Sequence, residues 1–464
     1  MTKIKQNYEE ILEVIFKISY LCLAFATFIS VIYMSPVQPI LVKLTLVLGV
    51  LTIIVRVLHW KKYGKMPCLI LMILFCLSFL LSIVMNRQYG GMVTDLKWLI
   101  WTGIQFFGLY VCDLEREEEK YKREFAILSH IFIIVTVIAA VTSLVMMARS
   151  YSAFLATADE EFIITGFQWD RLWGVYTDPN YGAVCSVIGI LLSGLYLIKK
   201  KGGAWKLLYV IAMLLNYAYL IFSDSRTGEI ALMICGGLFL YLCLLKKFHG
   251  RSWLKSIVAV VCVMVIVLAA GQQAKTQNIT YQKAVAAEKA KQQVPKKTKK
   301  NNKQLTVRQK SIQEDASSGR LAIWQSAVEV WESSPVYGAG YTTVVDYAKE
   351  HVPGTYIVNN SQGDYTSMHN VFFCVLAYQG AVGAVLFVLI ALRMLGYIMI
   401  PVLRNKEQPD TDAAAWFCCI GCVAVSMMFL LDGIYTNSPN AAVLWLFGGY
   451  LVRYTYQKRK EEGI

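Results

Sequence analysis

Residues Glu124–Met147 read EFAILSHIFIIVTVIAAVTSLVMM. Beyond Glu124 the run carries no further formal charge, and His130 is its sole titratable group. A hydrocarbon core of about 30 Å takes roughly 20 helical residues to cross. Only a helix or a closed barrel satisfies its own backbone polar groups where no water reaches them. The run is too long for a strand and long enough to span, so it predicts a membrane helix. Similar runs recur at 11–33, 38–58, 67–85, 93–112, 180–198, 204–222, 227–245, 253–271, 369–400, 412–433 and 439–456. The whole chain is 56% hydrophobic, 16% charged and has a mean hydropathy of +0.49, which excludes an ordinary soluble domain. The expected fold is an all-α integral membrane protein of about twelve transmembrane helices with a large extracytoplasmic loop.

Charge orients the spans. A net charge of +14 would suggest nucleic acid in a soluble protein. Here Lys and Arg gather in short loops on one side, the pattern of cytoplasmic loops, and no nucleic-acid partner is expected. Those loops hold Lys61-Lys62, Lys65, Arg116 with Lys120, Lys199-Lys200-Lys201, Lys246-Lys247, Arg404 with Lys406, and Lys458-Arg459-Lys460. Short outer loops hold chiefly Arg87, Arg149, Arg171 and Arg226. Both termini are then expected in the cytoplasm, with long outer loops at about 148–179 and 272–368. The chain divides into an N-terminal bundle, 1–271, of about nine spans, an extracytoplasmic loop with short helices, 272–368, and a C-terminal bundle, 369–464, of about three spans. Within the long loop, 281–310 is rich in Lys, Gln and Ala and lacks apolar periodicity. It reads as a mobile or marginally helical solvated insertion, or as an attractor of anionic glycan or lipid headgroups. The first apolar run lacks a small-residue cleavage site and reads as a retained span. The 12 cysteines lie mostly in apolar runs, and Cys418-Cys419 with Cys422 reads as packing. No metal or other cofactor is expected.

Four polar clusters meet the outer ends of these spans. They are Trp169-Asp170-Arg171-Leu172-Trp173-Gly174 leading to Asp178-Pro179-Asn180, Ser223-Asp224-Ser225-Arg226-Thr227-Gly228, Gly319-Arg320, and His369-Asn370. Leu321, Trp324, Ala327, Val328 and Trp331 have helical spacing, so Ser317 or Ser318 is expected to cap a helix that Ser334-Pro335 ends. Arg320 then sits in a first turn, where free N–H groups already favour an anion. A cation there and an imidazole at the mouth of a span point to a site for a phosphorylated lipid. Each cluster also has a plainer reading. Arg171 and Arg226 serve equally as interfacial anchors, Arg226 as a partner of Asp224, Asp178-Pro179-Asn180 as a helix cap, and His369 as a cap of the tenth span.

In order and placement these clusters resemble the O-antigen ligase and Wzy polymerase superfamily of bacterial envelope glycosyltransferases. The residues that carry the resemblance are Arg171-x-x-Gly174 with Asp178-Pro179-Asn180, Ser223-x-Ser225-Arg226, Gly319-Arg320-x-x-x-Trp324 leading to Pro335-x-x-Gly338-x-Gly340, and His369-Asn370 followed by Gly380. The long Lys-rich insertion before Gly319 departs from that pattern. The resemblance implies a GT-C-like, inverting, metal-independent enzyme of the bacterial plasma membrane with its active site outside. Its donor would be a polyprenyl-diphosphate-linked glycan. Arg171, Arg226 and Arg320 would bind the diphosphate, and Lys97 is a further candidate. His369 would be the general base, with Arg320 also catalytic and Asp178, Asn180, Ser225 and Asn370 in support. A glycan acceptor, the lipid bilayer, and a chain-length regulator and flippase of the same pathway are the partners it suggests.

The chemistry of the residues agrees. A diphosphate is a good leaving group, arginine forks bind it through paired charge-assisted hydrogen bonds, and neutral imidazole accepts a hydroxyl proton. Asp346, Glu350 and Asp364 compete as bases. The preferred expectation is a polymerase of lipid-linked repeats into a surface polysaccharide. The alternatives are a ligase onto lipid A core or another acceptor, and a lipid-linked glycan flippase or transporter. A transporter predicts charges inside the bundle, whereas the sequence places its arginines at the outer boundary.

Overall fold

Each predicted apolar segment overlaps a helix of the computed structural model, which describes residues 2–156, 162–247, 253–292, 319–361, 363–404, 410–430 and 433–463. Eight helices are long and apolar enough to cross a membrane: Tyr8–Phe28, Val37–Leu58, Glu118–Ala148, Pro179–Lys199, Gly203–Phe222, Arg226–Lys247, Trp253–Val285 and Val371–Met399. The other predicted spans differ for local reasons. Leu69–Met85 and Thr411–Met427 are apolar but only 17 residues long. Met92–Gly103 passes into a π-helical turn, Ile104–Tyr110, and Pro439–Glu462 carries Lys458, Arg459 and Lys460 near its end.

Pro179–Lys199 is the most enclosed of the eight, with 83% of its apolar stretch buried. Its glycines let neighbours approach where a side chain would collide. A Cβ on Gly182 would lie 2.5 Å from both Tyr176 and Tyr219, and one on Gly189 would lie 2.8 Å from Thr136. Asp178 caps this helix, its carboxylate accepting from the Asn180 N–H at 2.6 Å, and Pro179 fills the first turn. The predicted cap is present.

Three features depart from the sequence reading. The long loop at 148–179 is not wholly irregular. It forms a three-stranded antiparallel sheet of Ser152–Ala156, Phe162–Gln168 and Arg171–Gly174, so the fold carries a small β element. Its alternating Phe, Ile and Thr residues fit a pleated surface. The helix expected to end near 271 continues to Gln292, so part of the Lys-rich tract is helical, while 293–310 lies outside the described residues. The segment read as one span over 369–400 is broken at Gly380, whose φ of 65° and ψ of −163° leave the helix.

That break explains the Pro335-x-x-Gly338-x-Gly340 spacing. The opened turn frees the Ala377 and Tyr378 carbonyls, which accept from the Ala339 and Gly340 N–H groups at 2.8 and 3.1 Å. Past the break, Ala381 N–H donates to the Pro335 carbonyl at 2.8 Å. The two backbones run so close that a Cβ on Gly338 or on Gly380 would lie 2.5 Å from main-chain atoms of the other. Both glycines also have positive φ, which a side chain would strain. Residues 335–340 are thereby latched into the helix that follows His369.

The bundle interior also holds charges. Lys17 donates to Glu13 and Glu124, each at 2.6 Å, Arg116 donates to Glu124 at 2.8 Å, and Arg56 lies 3.2 Å from Glu13. All five side chains are buried. Arg56 also donates to the Gly108 carbonyl at 2.6 Å, within the π turn, and Tyr450 Oη donates to Glu124 at 2.5 Å. This corrects the expectation that charge stays at the boundary. The network borders the lysine-rich end, where Lys62 lies 3.1 Å from Asp113 and Lys120 lies 2.9 Å from Glu10.

Candidate active site

The strand Arg171–Gly174 begins after a tight turn at Trp169 and Asp170, whose φ values of 54° and 59° are both left-handed. Such positions are costly without glycine, and they aim the next side chain across the end of the bundle. Arg171 Nε donates to the Ser223 carbonyl at 2.6 Å, and its Nη2 donates to Asn180 Oδ1 at 2.7 Å. Ser225 Oγ donates to the same Asn180 oxygen at 3.0 Å and accepts from the Gly228 N–H at 3.3 Å as the helix cap. Burial raises the Asp178 carboxyl above its ordinary range, although hydrogen bonds from Asn180 and the nearby Arg171 charge oppose this. Arg171, Asp178, Asn180, Ser223 and Ser225 therefore form one hydrogen-bonded corner. In it Arg171 has structural partners and ties the sheet to the turn that presents Arg226.

Arg226 follows Ser225 as the first residue of its helix and is exposed. The alternative pairing with Asp224 is not found among the described residues: Asp224 accepts from Lys275 at 2.9 Å. Arg320 opens the helix Arg320–Ser333 behind Gly319, which has a φ of 77° and supplies no side-chain cap. Ser317 and Ser318, the expected caps, lie outside the described residues. Neither Arg226 nor Arg320 forms a hydrogen bond or ion pair among the described residues. Burial, and then the neighbouring Arg226 charge, lower the Arg320 guanidinium below its ordinary value. Two like charges thus share one neighbourhood, and neither has a carboxylate partner among the described residues.

His369 joins that neighbourhood. Burial, and then Arg320, hold its imidazole down to about 4. Its Nδ1 is buried without a hydrogen-bond partner among the described residues, and its backbone φ is 51°. The ring meets Tyr365 edge-on at 5.9 Å, and Tyr365 stacks on Tyr356. His369 does not cap the following helix. Asn370 does, with its Oδ1 accepting from the Phe372 N–H at 2.9 Å, and its Nδ2 donates to the Met428 carbonyl. Trp324, one turn along from Arg320, stacks on Phe373 at 5.4 Å and locks the arginine helix to the His369 segment. The competing acids are elsewhere engaged or exposed: Asp364 pairs with Lys349 at 2.7 Å, and Asp346 and Glu350 face outward.

Lys97 is exposed on Met92–Gly103 and forms no hydrogen bond or ion pair with this cluster among the described residues. Its neighbours do reach the loop: Asp95 accepts from the Thr342 N–H at 3.0 Å, and Trp98 meets Tyr341 edge-on. Sequence reasoning missed Lys275, the Tyr356–Tyr365 stack and the Trp324–Phe373 latch. A lysine four residues beyond Gly271, where an apolar run gives way to polar residues, was the one visible signal.

No curated protein matches the chain. The family model described as O-antigen ligase matches residues 208–388, a stretch that contains Arg226, Arg320, His369 and Gly380 but stops short of Lys97, Arg171 and Asn180. By its apolar helices the chain is a membrane protein, and its central segment, residues 208–388, is similar to the O-antigen ligase family.

Proposed function

We propose that the protein transfers a glycan from a polyprenyl-diphosphate-linked donor to a sugar hydroxyl, and that it polymerises lipid-linked repeats into a surface polysaccharide. The observation that carries the reading is the convergence of Arg226 and Arg320 beside His369 with no carboxylate partner among the described residues. Gathering like charges costs free energy unless an anion occupies the gap. A lipid diphosphate at the membrane surface supplies that anion, and the start of the helix at Arg320 adds a favourable dipole.

In the reaction the acceptor oxygen attacks the anomeric carbon from the face opposite the diphosphate. The bond from that carbon to the diphosphate oxygen breaks, and its electron pair stays on the diphosphate. Arg226 and Arg320 stabilise the charge that develops there, a preorganised electrostatic role. His369 takes the hydroxyl proton. Its imidazole is neutral well into the acid range, and a bound diphosphate offsets the Arg320 charge and makes it a stronger base. Arg171, held by Asn180 and the Ser223 carbonyl, fixes the frame of the site. Asn370 holds the start of the helix after His369.

The donor specificity, the inverting course, a site outside a bacterial plasma membrane and the choice of polymerase all belong to this proposal. A ligase onto lipid A core or another acceptor uses the same chemistry with a different nucleophile. Purified protein incubated with a defined lipid-linked repeat alone should yield a ladder of longer lipid-linked products. Transfer only when lipid A core is added would replace polymerase by ligase, and no transfer to either would remove the reading. The transport alternative expects ionisable groups inside the bundle. Of the buried ones, Lys17, Glu13, Glu124, Arg56 and Arg116 bind one another, which favours a structural clamp over a path.

A further inference from the structure

Arg226 is flanked by two carboxylates, Asp224 two residues before it and Glu229 three residues after. The i, i+3 spacing places Glu229 on the same helix face, where a guanidinium ordinarily pairs with it. Repulsion from Arg320 adds to that tendency. Yet Arg226 is unpaired among the described residues, because another cation occupies both acids. Lys275 Nζ donates to Asp224 Oδ1 at 2.9 Å and to Glu229 Oε1 at 2.5 Å, and its side chain is only 16% exposed.

Lys275 is carried there by packing. It lies on Trp253–Gln292, four residues past Gly271. A Cβ on Gly271 would lie 2.6 Å from Ile221 and 2.8 Å from Tyr217 Oη, so the glycine allows this helix to sit against Gly203–Phe222. Tyr217 Oη donates to the Val267 carbonyl and pins the contact one turn below. The helix then delivers its lysine to the Ser223–Gly228 turn.

We infer that Lys275 is a positioning residue for Arg226: by engaging Asp224 and Glu229 together it leaves the Arg226 guanidinium available, beside Arg320, for the diphosphate of the lipid donor. The inference rests on the donor site proposed above. Without Lys275, the two carboxylates capture Arg226 and add negative charge where an anion must dock.

The test is binding of geranylgeranyl diphosphate to the purified full chain in detergent, followed by titration calorimetry, with melting temperature as the folding control. Lys275→Ala should weaken binding roughly threefold to tenfold, the worth of one or two partly exposed ion pairs turned against the ligand. Adding Asp224→Asn and Glu229→Gln to that variant should restore binding, because nothing remains to capture Arg226. Binding that stays weak in the triple variant would overturn the inference and reduce Lys275 to a clamp between helices. Arg226→Ala separates the two levels. If it leaves binding unchanged, the donor site itself fails. If it weakens binding while Lys275→Ala does not, only the positioning role fails. Should Lys275→Ala not fold, Asp224→Asn with Glu229→Gln in the otherwise native chain carries the test. Binding at least as tight as wild type supports the role, and weaker binding removes it.

Discussion

The two ends of this bundle treat charge in opposite ways. Helix Glu118–Ala148 links them, with Glu124 in its second turn and the sheet bearing Arg171 beyond its far end, about 35 Å away at ~1.5 Å per residue. At the lysine-rich end, Lys17, Arg56 and Arg116 are buried against Glu13 and Glu124. At the far end Arg226 and Arg320 stand together without a carboxylate partner among the described residues. Buried charges that answer one another hold helices in place, and removing one leaves its partner stranded. Like charges brought together without an answer need something from outside the chain. The same residue types thus mean structure at one end and ligand binding at the other.

Substitutions test that contrast. The largest effect expected is from His369→Ala: transfer between defined lipid-linked substrates should fall on the order of 100- to 10,000-fold while the melting temperature holds. Near-normal product would remove the base role. Arg320→Ala should cost about 100- to 1,000-fold in the same assay, again with the fold intact, as the loss of one preorganised donor to a developing anion does. A variant that simply unfolds would place Arg320 with the structural charges.

Lys17→Met is expected to do the reverse. It should destabilise the protein by about 3–5 kcal/mol, read from denaturation in detergent, because Glu13 and Glu124 lose their shared partner in a buried site. Activity per folded molecule should not change. A selective loss of activity would instead support a path for ions or substrate through the bundle. Gly380→Ala should cost roughly 1–3 kcal/mol through its left-handed backbone, together with the collision against Val336, and should loosen the loop bearing Arg320.

The smallest and most diagnostic change concerns protonation. In wild type, an NMR titration of the His369 ring should give a midpoint near 4, so the neutral, proton-accepting form persists as pH falls toward that value. Arg320→Gln removes the second cause of that depression and leaves burial, the larger one. The midpoint should therefore rise but stay below the ordinary 6.5. An unchanged midpoint would show that the two side chains do not share a field.

The membrane fold was legible because its signal is local. A run such as Glu124–Met147 has nowhere else to put its apolar surface, and each predicted segment met a helix. The Asp178 cap and the stop at Ser334-Pro335 were legible for the same reason, since capping is decided within one turn. The sheet at Ser152–Gly174 was not, because its pairing joins strands whose individual periodicity is short and mixed. The motif residues around His369 and the arginines were readable as types in an order. Their roles were not: Asp224 stood next to Arg226 in sequence and was its natural partner until Lys275 arrived from another helix.

From its sequence alone the chain determined where apolar helices form, which loops carry positive charge, and which arginines and histidine are candidates for chemistry. These follow from the cost of burying backbone and charge in hydrocarbon, which each segment meets by itself. Tertiary structure alone decided which charges are neutralised and which are left for a ligand. An ion pair depends on distances of a few ångströms between groups set by the packing of separate helices: Gly271 against Gly203–Phe222, Gly338 against the break at Gly380, Trp324 against Phe373. No single stretch of the chain contains that information.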